Sequence, residues 1–303
     1  MALTPADLMP AISATNNASS LNAQEFELFR EYIEKQCGIA LGKEKAYLVE
    51  SRLAKLVVES GCENFSDFYK KVRSGLDLAL KTKVIDAMTT NETLWFRDES
   101  PFTLLKTQIL PEFQAQLAAG KKHQLRIWSA ACSTGQEPYS IVMTVKEFDA
   151  EHAGKAGKPP VYPALKILAT DISSSALMLA KMARYDGISI ARGLPEAYKE
   201  KYFENQGRVF SLKDEIKQPV EFKSFNLQDS VFPLGKFDVI FLRNVAIYFS
   251  ADFKTELFGK LVTALNPSGY LILGASESIN GYSKAFETKL FERGTLYQLK
   301  EAP

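Results

Sequence analysis

LRIWSAACSTGQEPYS, residues 125–140, decides how the rest of the chain is read. Residues 125–128 are apolar in alternation and predict a buried strand. Residues 129–135 are all small or hydroxylated. Glu137 and Pro138 follow, and then Tyr139, Ile141, Val142, Val145 and Phe148 recur at helical spacing. Proline suits the first turn of a helix, where its missing N–H has no partner to lose. The order is strand, tight turn, helix, which is how a doubly wound α/β domain opens its ligand site at a strand's carboxyl end. The turn has one glycine, Gly135, where a dinucleotide-binding turn would have several. It carries a carboxylate, Glu137, which argues against a phosphate and for a cation such as an amine. The alternative is a turn that serves packing alone.

At 303 residues the chain has room for one large domain or two. Apolar and charged shares of 46% and 24% are those of an ordinary globular protein. A net charge of +1 argues against a nucleic-acid or membrane partner held by bulk charge. Cys37, Cys62 and Cys132 are widely spaced and odd in number, which suggests a reducing compartment and no metal pattern. His123 and His152 lie in no motif, so histidine catalysis is not expected. No secretory signal is read in residues 1–20, and no run reaches the roughly 20 apolar residues of a membrane span. The expected location is the cytoplasm.

Residues 1–22, rich in Ala, Ser, Asn, Thr and Pro, read as a disordered tail. Three helices follow. Phe26, Phe29, Ile33 and Cys37 mark the first, Leu48 to Val57 the second, and Phe65, Phe68 and Val72 the third, closed in turn by Gly38, Gly61 and Gly75. They predict a small all-α domain over residues 23–75. Lys45, Arg52 and Lys55 fall near one face of the second helix; such a stripe is usually solvated surface, and docking of an acidic partner is the sharper reading. Residues 76–98 form a linker, a helix over 76–88 and then TTNETLWFRD. That mixture of Trp-Phe with Asn91, Glu92 and Arg97 suits either a strap closing over a ligand or a buried linker whose Arg pairs with a carboxylate.

Residues 99–303 predict the α/β domain. A helix spans 99–118, and strands are expected at 165–170, 220–225, 237–242, 270–274 and 295–299. Asp171 ends the second strand before a helix capped by Ser173 to Ser175. An acid there is either a cap or the partner of ribose hydroxyls, and its position after the second strand favours the latter. Residues 187–219 break the alternation and read as a small β insertion at the sheet edge. The sheet should be mainly parallel, with an antiparallel last pair.

Five stretches taken together, residues 91–97 (NETLWFR), 128–140, 169–171 (ATD), 225–227 (FNL) and 241–249 (FLRNVAIYF), resemble the chemotaxis protein methyltransferases, the CheR family. The resemblance covers about residues 24–300. It implies a Rossmann-like, doubly wound methyltransferase sheet and S-adenosylmethionine (SAM) as methyl donor, with S-adenosylhomocysteine as product and no metal. It also implies glutamate side chains of chemoreceptor cytoplasmic helices as acceptors. A glutamate with a pKa of about 4.3 is already ionised at neutral pH and needs no general base. The demands on the enzyme are alignment and exclusion of water.

By the same resemblance, Arg97 and Tyr248 lie at the methyl and the acceptor. Asn91 and Thr93 hold the donor from the linker side, Glu137 meets its amine, and Asp171 takes the ribose. Asn226, Leu227, Arg243 and Asn244 border the adenosine. Lys45, Arg52 and Lys55 match the receptor-docking positions. Residues 205–218 are short beside the β-hairpin with which some members hold a receptor's C-terminal peptide, so no such tether is expected. The remaining expectations are a monomer, at membrane receptor arrays but not inserted in the membrane, with no nucleic acid bound. A non-catalytic sensor of SAM or its product is the competing reading, and the presence of both Arg97 and Tyr248 speaks against it.

Overall fold

The computed structural model describes residues 20–152 and 155–300. The tail expected over 1–22 therefore lies, but for its last three residues, outside the described residues. The chain divides into two compact units, one running to Tyr32 and then over Leu41–Met88, the other comprising Ile33–Ala40 and the chain from Thr89 on.

The first unit is helical. It contains most of α1 (Ala23–Cys37), then α2 (Ala46–Glu59), α3 (Phe65–Arg73) and α4 (Leu78–Met88). Residues at i, i+3 or i+4 turn inward: Phe26 and Phe29; Val49, Leu53 and Val57; Phe65, Phe68 and Val72; Leu80, Val84 and Met88. The Phe29 ring meets Phe65, Phe68 and Tyr69 with centroids 6.1, 5.9 and 5.4 Å away. Asn22 and Glu25 cap α1 reciprocally, each side chain accepting from the other's backbone N–H at 2.9 and 3.0 Å. Asn64 caps α3 through the Asp67 N–H, an interaction of about 1 kcal/mol.

The second unit is the α/β domain. Its first helical stretch was expected as one helix over 99–118. It is instead α5 (Ser100–Leu104), a π turn over Leu105–Ile109, and α6 (Leu110–Ala118). Pro111 in the first turn of α6 has no N–H for an i→i−4 bond, and the turn before it winds wider. Then come β1 (Leu125–Ala130), α7 (Gln136–His152), β2 (Leu165–Asp171) and α8 (Ser174–Met182). After them lie β3 (Arg184–Asp186), α9 (Gly187–Ala191), α10 (Glu196–Tyr202), β4 (Phe203–Asn205), β5 (Val209–Leu212) and α11 (Asp214–Lys217). The chain closes with β6 (Val220–Ser224), β7 (Phe237–Leu242), α12 (Ala251–Ala264), β8 (Leu265–Leu273), β9 (Phe286–Phe291) and β10 (Gly294–Leu299).

Seven strands form one sheet in the order β6-β2-β1-β7-β8-β10-β9. The first five are parallel, and β10 pairs antiparallel with both β8 and β9. The chain steps from β1 out to β2 and β6, then restarts on the other side of β1 with β7. The switch point, where open α/β sheets bind ligands, is thus between β1 and β7. Every residue of β7 is buried, as expected of a strand covered on both faces.

Two expectations change. The strand expected over 270–274 begins earlier, at Leu265: Leu265 pairs with Phe237 and Tyr270 with Val239, so the intervening residues bulge out, with Ser268 at φ +57°. The β insertion does not extend the main sheet's edge. Its strands form a separate sheet, β3-β5-β4, starting at Arg184. The reason is aromatic: Tyr185 and Phe203 pack edge-on against Trp95 at 4.9 and 5.4 Å, which ties this small sheet to the segment before α5.

Candidate functional site

The site is built at the carboxyl ends of β1, β2 and β7. After β1 the chain turns through Ala131 (φ +63°), Ser133 (φ +50°) and Gly135 (φ +94°). Small side chains are required here because a Cβ on Gly135 would stand 3.0 Å from the Cβ of Ala180 in α8. Glu137 in the first turn of α7 then faces back toward the strand ends, where the helix dipole favours a carboxylate.

Asp171, at the end of β2, is buried and accepts from the backbone N–H groups of Ser133 (2.7 Å) and Ser173 (2.8 Å). One carboxylate therefore binds the β1 turn to the start of α8. With about four lone-pair sites, it keeps acceptor capacity for hydroxyls.

The segment from residue 89 to 97 lies over these turns. Ser133 Oγ donates to the Asn91 carbonyl at 2.9 Å, and Asn91 Nδ2 donates to Ser173 Oγ at 3.3 Å. Phe96 N–H donates to Ser140 Oγ in α7 at 3.2 Å. The Trp95 side chain is wholly buried, and the Trp95 backbone N–H donates to the Arg192 carbonyl at 3.0 Å. Arg97 Nη1 donates to the backbone carbonyl of Glu92 at 3.2 Å, while the Glu92 carboxylate pairs with Arg192 at 2.8 Å.

Beneath the strap is a buried ionic junction. The Arg243 side chain, 1% exposed, donates from Nη1 to Glu137 Oε2 and from Nη2 to Asp98 Oδ2, each at 2.9 Å. Its Nη2 also reaches the Arg97 carbonyl. Ser129 Oγ donates to the other oxygen of Glu137 at 2.8 Å. Burial pushes the Glu137 carboxyl above the ordinary carboxylate range, opposed by Arg243 and Ser129. Among the described residues, the buried Arg243 Nε has no hydrogen-bond partner. Burial also holds the Cys132 thiol well up and Cys37 at about 11, so neither is a thiolate at neutral pH.

All ten candidate donor and transfer residues line one solvent-open cavity of about 930 Å³. Asn91, Thr93 and Arg97 come from the strap, Glu137 from the first turn of α7 and Asp171 from the end of β2. Asn226 and Leu227 follow β6; Arg243, Asn244 and Tyr248 follow β7. Phe225, Ile172 and Val245 add apolar wall. Two carboxylates, an uncommitted buried guanidinium N–H and an apolar wall suit a ligand with an amine, hydroxyls, a carboxylate and a flat apolar ring, which is the chemistry of SAM. The Asn226 side chain is already used: Nδ2 donates to the Gln36 carbonyl in the last turn of α1 at 2.8 Å, and Oδ1 accepts from Gln228 N–H at 3.0 Å.

The docking candidates lie in the helical unit. Lys45 was expected on the second helix; it ends the 3-10 turn Lys43–Lys45, because its N–H bonds Gly42 and not a helical turn. Arg52 Nη1 donates to the Met88 carbonyl at the end of α4 at 2.8 Å, and Lys55, 83% exposed, faces Glu59 at 3.5 Å.

Residues 91–294 match the family model described as CheR methyltransferase, SAM binding domain, and residues 24–89 match that described as CheR methyltransferase, all-alpha domain. The chain belongs to the CheR methyltransferase family. It is a SAM-dependent methyltransferase. The chain is 44% identical to a chemotaxis protein methyltransferase of Vibrio anguillarum over 93% of its own length and 99% of that protein's. It is equally similar to chemotaxis protein methyltransferase Cher2 of Pseudomonas putida, over 91% and 98%. Chemotaxis protein methyltransferase 1 of Pseudomonas aeruginosa matches at 44% over 93% of this chain and all of its own. Among the described residues of this CheR-family enzyme, no helix is long and apolar enough to cross a membrane.

Sequence reasoning missed Ser129, Asp98 and Glu277. Glu277 accepts from three backbone N–H groups beside the cavity. The signal was present, since Glu277, like Asp171, is an acid close behind the carboxyl end of a parallel strand.

Proposed function

We propose that this CheR-family enzyme methylates glutamate side chains on the cytoplasmic helices of chemoreceptors, forming glutamate methyl esters in sensory adaptation. The observation that carries the reading is that one cavity unites the carboxylates of Glu137 and Asp171 with Arg97 and Tyr248. The names of its relatives, chemotaxis protein methyltransferases, support the receptor as substrate.

Bound SAM supplies an electrophilic methyl group on a sulfonium. In this reading Glu137 holds the donor's amine, Asp171 its ribose hydroxyls, and Asn91 and Thr93 close over it. Asn226, Leu227, Arg243 and Asn244 border the adenosine. Arg97 orients the acceptor carboxylate through charge-assisted hydrogen bonds. Tyr248, 37% exposed, lines the acceptor side. A carboxylate attacking a sulfonium loses charge as it reacts, so the apolar wall and exclusion of water favour the transfer. No side chain has to take a proton, since the acceptor is already ionised.

Receptor docking is assigned to Lys45, Arg52 and Lys55, without a peptide tether. The enzyme acts as a monomer in the cytoplasm at receptor arrays. The test of the site is Arg97→Ala. It should retain part of the SAM affinity measured by calorimetry and abolish transfer; undiminished turnover would overturn the assignment.

A further inference from the structure

We infer that Glu277 is a positioning residue for methyl transfer, fixing the chain at residues 243–245 and through it the cavity wall that carries Asn244, Val245 and Tyr248. The inference rests on the reading of Arg97 and Tyr248 as the transfer residues.

The Glu277 carboxylate gathers three backbone donors. Oε2 accepts from Asn244 N–H at 2.6 Å and from Gly274 N–H at 2.8 Å; Oε1 accepts from Val245 N–H at 3.0 Å. Convergent backbone N–H groups of this kind bind an anion, and charge makes each bond stronger than its neutral counterpart. The bonds join the ends of two neighbouring parallel strands, since Leu242 of β7 pairs with Leu273 of β8. Asn244 holds a left-handed backbone, φ +57°, a conformation that asparagine tolerates better than most residues with a side chain. Glu277 holds this turn from the β8 side through the Asn244 and Val245 N–H groups. The fit is close: a Cβ on Gly274 would stand 2.7 Å from Glu277 Oε2 and 2.8 Å from Asn244 Nδ2. Asn244, Val245 and Tyr248 line the cavity and Glu277 does not, so it acts through them. The same anchor sets where Arg243 leaves its strand, and hence its reach to Glu137 and Asp98.

Glu277→Gln keeps the size of the side chain but turns one acceptor into a donor facing a backbone N–H. Expected is a loss of roughly tenfold to a hundredfold in kcat for receptor methylation at saturating SAM. Because Arg243 and Asn244 also border the adenosine, the affinity for S-adenosylhomocysteine, by calorimetry, should weaken as well, but by a smaller factor than kcat falls. Gly274→Ala displaces the same carboxylate from the other side and should give the same split. The double variant should lose no more than either single one, since both act on one contact. A folded Glu277→Gln whose kcat stays within about twofold of wild type would overturn the inference. So would losses in the two single variants that multiply in the double. If Glu277→Gln does not fold, Gly274→Ala alone carries the test, with the same two outcomes. An inactive wild type that still binds S-adenosylhomocysteine would instead overturn the reading of the site itself.

Discussion

Arg243 and Glu137 meet at 2.9 Å between Nη1 and Oε2, one at the end of β7 and the other at the start of α7, with side chains 1% and 12% exposed. Removing one partner of such a pair strands the other's charge out of water. Arg243→Met should therefore destabilise the protein by about 3 kcal/mol or more. Arg243→Lys should recover little, because one ammonium cannot reach Glu137, Asp98 and the Arg97 carbonyl as a fork does. Urea unfolding monitored by tryptophan fluorescence measures both; a lysine variant as stable as wild type would contradict the three-point role.

The pH dependence of donor binding follows from Glu137. Its carboxyl sits above the ordinary range, first because it is buried and to a lesser extent because of the Glu277 charge, with Arg243 and Ser129 opposing. The ionised form is the one that attracts an amine. SAM affinity should therefore fall on acidification with a midpoint above that of an ordinary glutamate. Glu137→Gln should remove this acid limb and weaken binding about tenfold or more at neutral pH. Calorimetry across pH 4.5 to 8, roughly the span of carboxylate and imidazole titration, checks it.

Arg52 and Lys55 separate docking from structure. Arg52 closes the end of α4 through the Met88 carbonyl, so Arg52→Glu should lower stability by about 1 kcal/mol as well as weaken receptor methylation. Lys55 is exposed. Lys55→Glu should slow methylation severalfold at low salt and subsaturating receptor, with melting temperature and donor affinity unchanged. Equal rates would remove the docking role.

Gly193 has φ +90°, and a Cβ there would stand 2.2 Å from the Trp95 carbonyl oxygen. Gly193→Ala should force the turn carrying Arg97 to move, costing about 2 kcal/mol in stability and lowering transfer more than donor binding. Differential scanning calorimetry and turnover on one preparation would show it; an unchanged melting temperature would contradict it.

A receptor fragment lacking its C-terminal peptide should be methylated as fast as the full fragment. A marked loss of rate, or strong retention of the enzyme on the immobilised peptide, would contradict independence from a tether.

What the sequence made legible was local. Residues 125–140 carry strand period, small turn and helix period within a few residues of one another, so both the fold class and Glu137 could be read from them. Gly38 and Gly61 punctuate helices whose apolar spacing is regular. What stayed hidden depends on partners far apart in the chain. Arg243 pairs with Glu137 across 106 residues and with Asp98 across 145, and neither sequence neighbourhood marks the other. The three-residue strand β3 has too few positions to show a period, and its place is set by Trp95 packing on Tyr185. The π turn before Pro111 arises because a helix pattern and a proline compete within one apolar stretch.

The central claim is tested most directly by incubating the enzyme with methyl-labelled SAM and a chemoreceptor cytoplasmic fragment, then treating the receptor with base. The account predicts label on the receptor that base releases as methanol, the mark of a carboxyl methyl ester, and none when Arg97→Ala replaces the wild type. Label that resists base, or no transfer to any chemoreceptor fragment while SAM still binds, would contradict it.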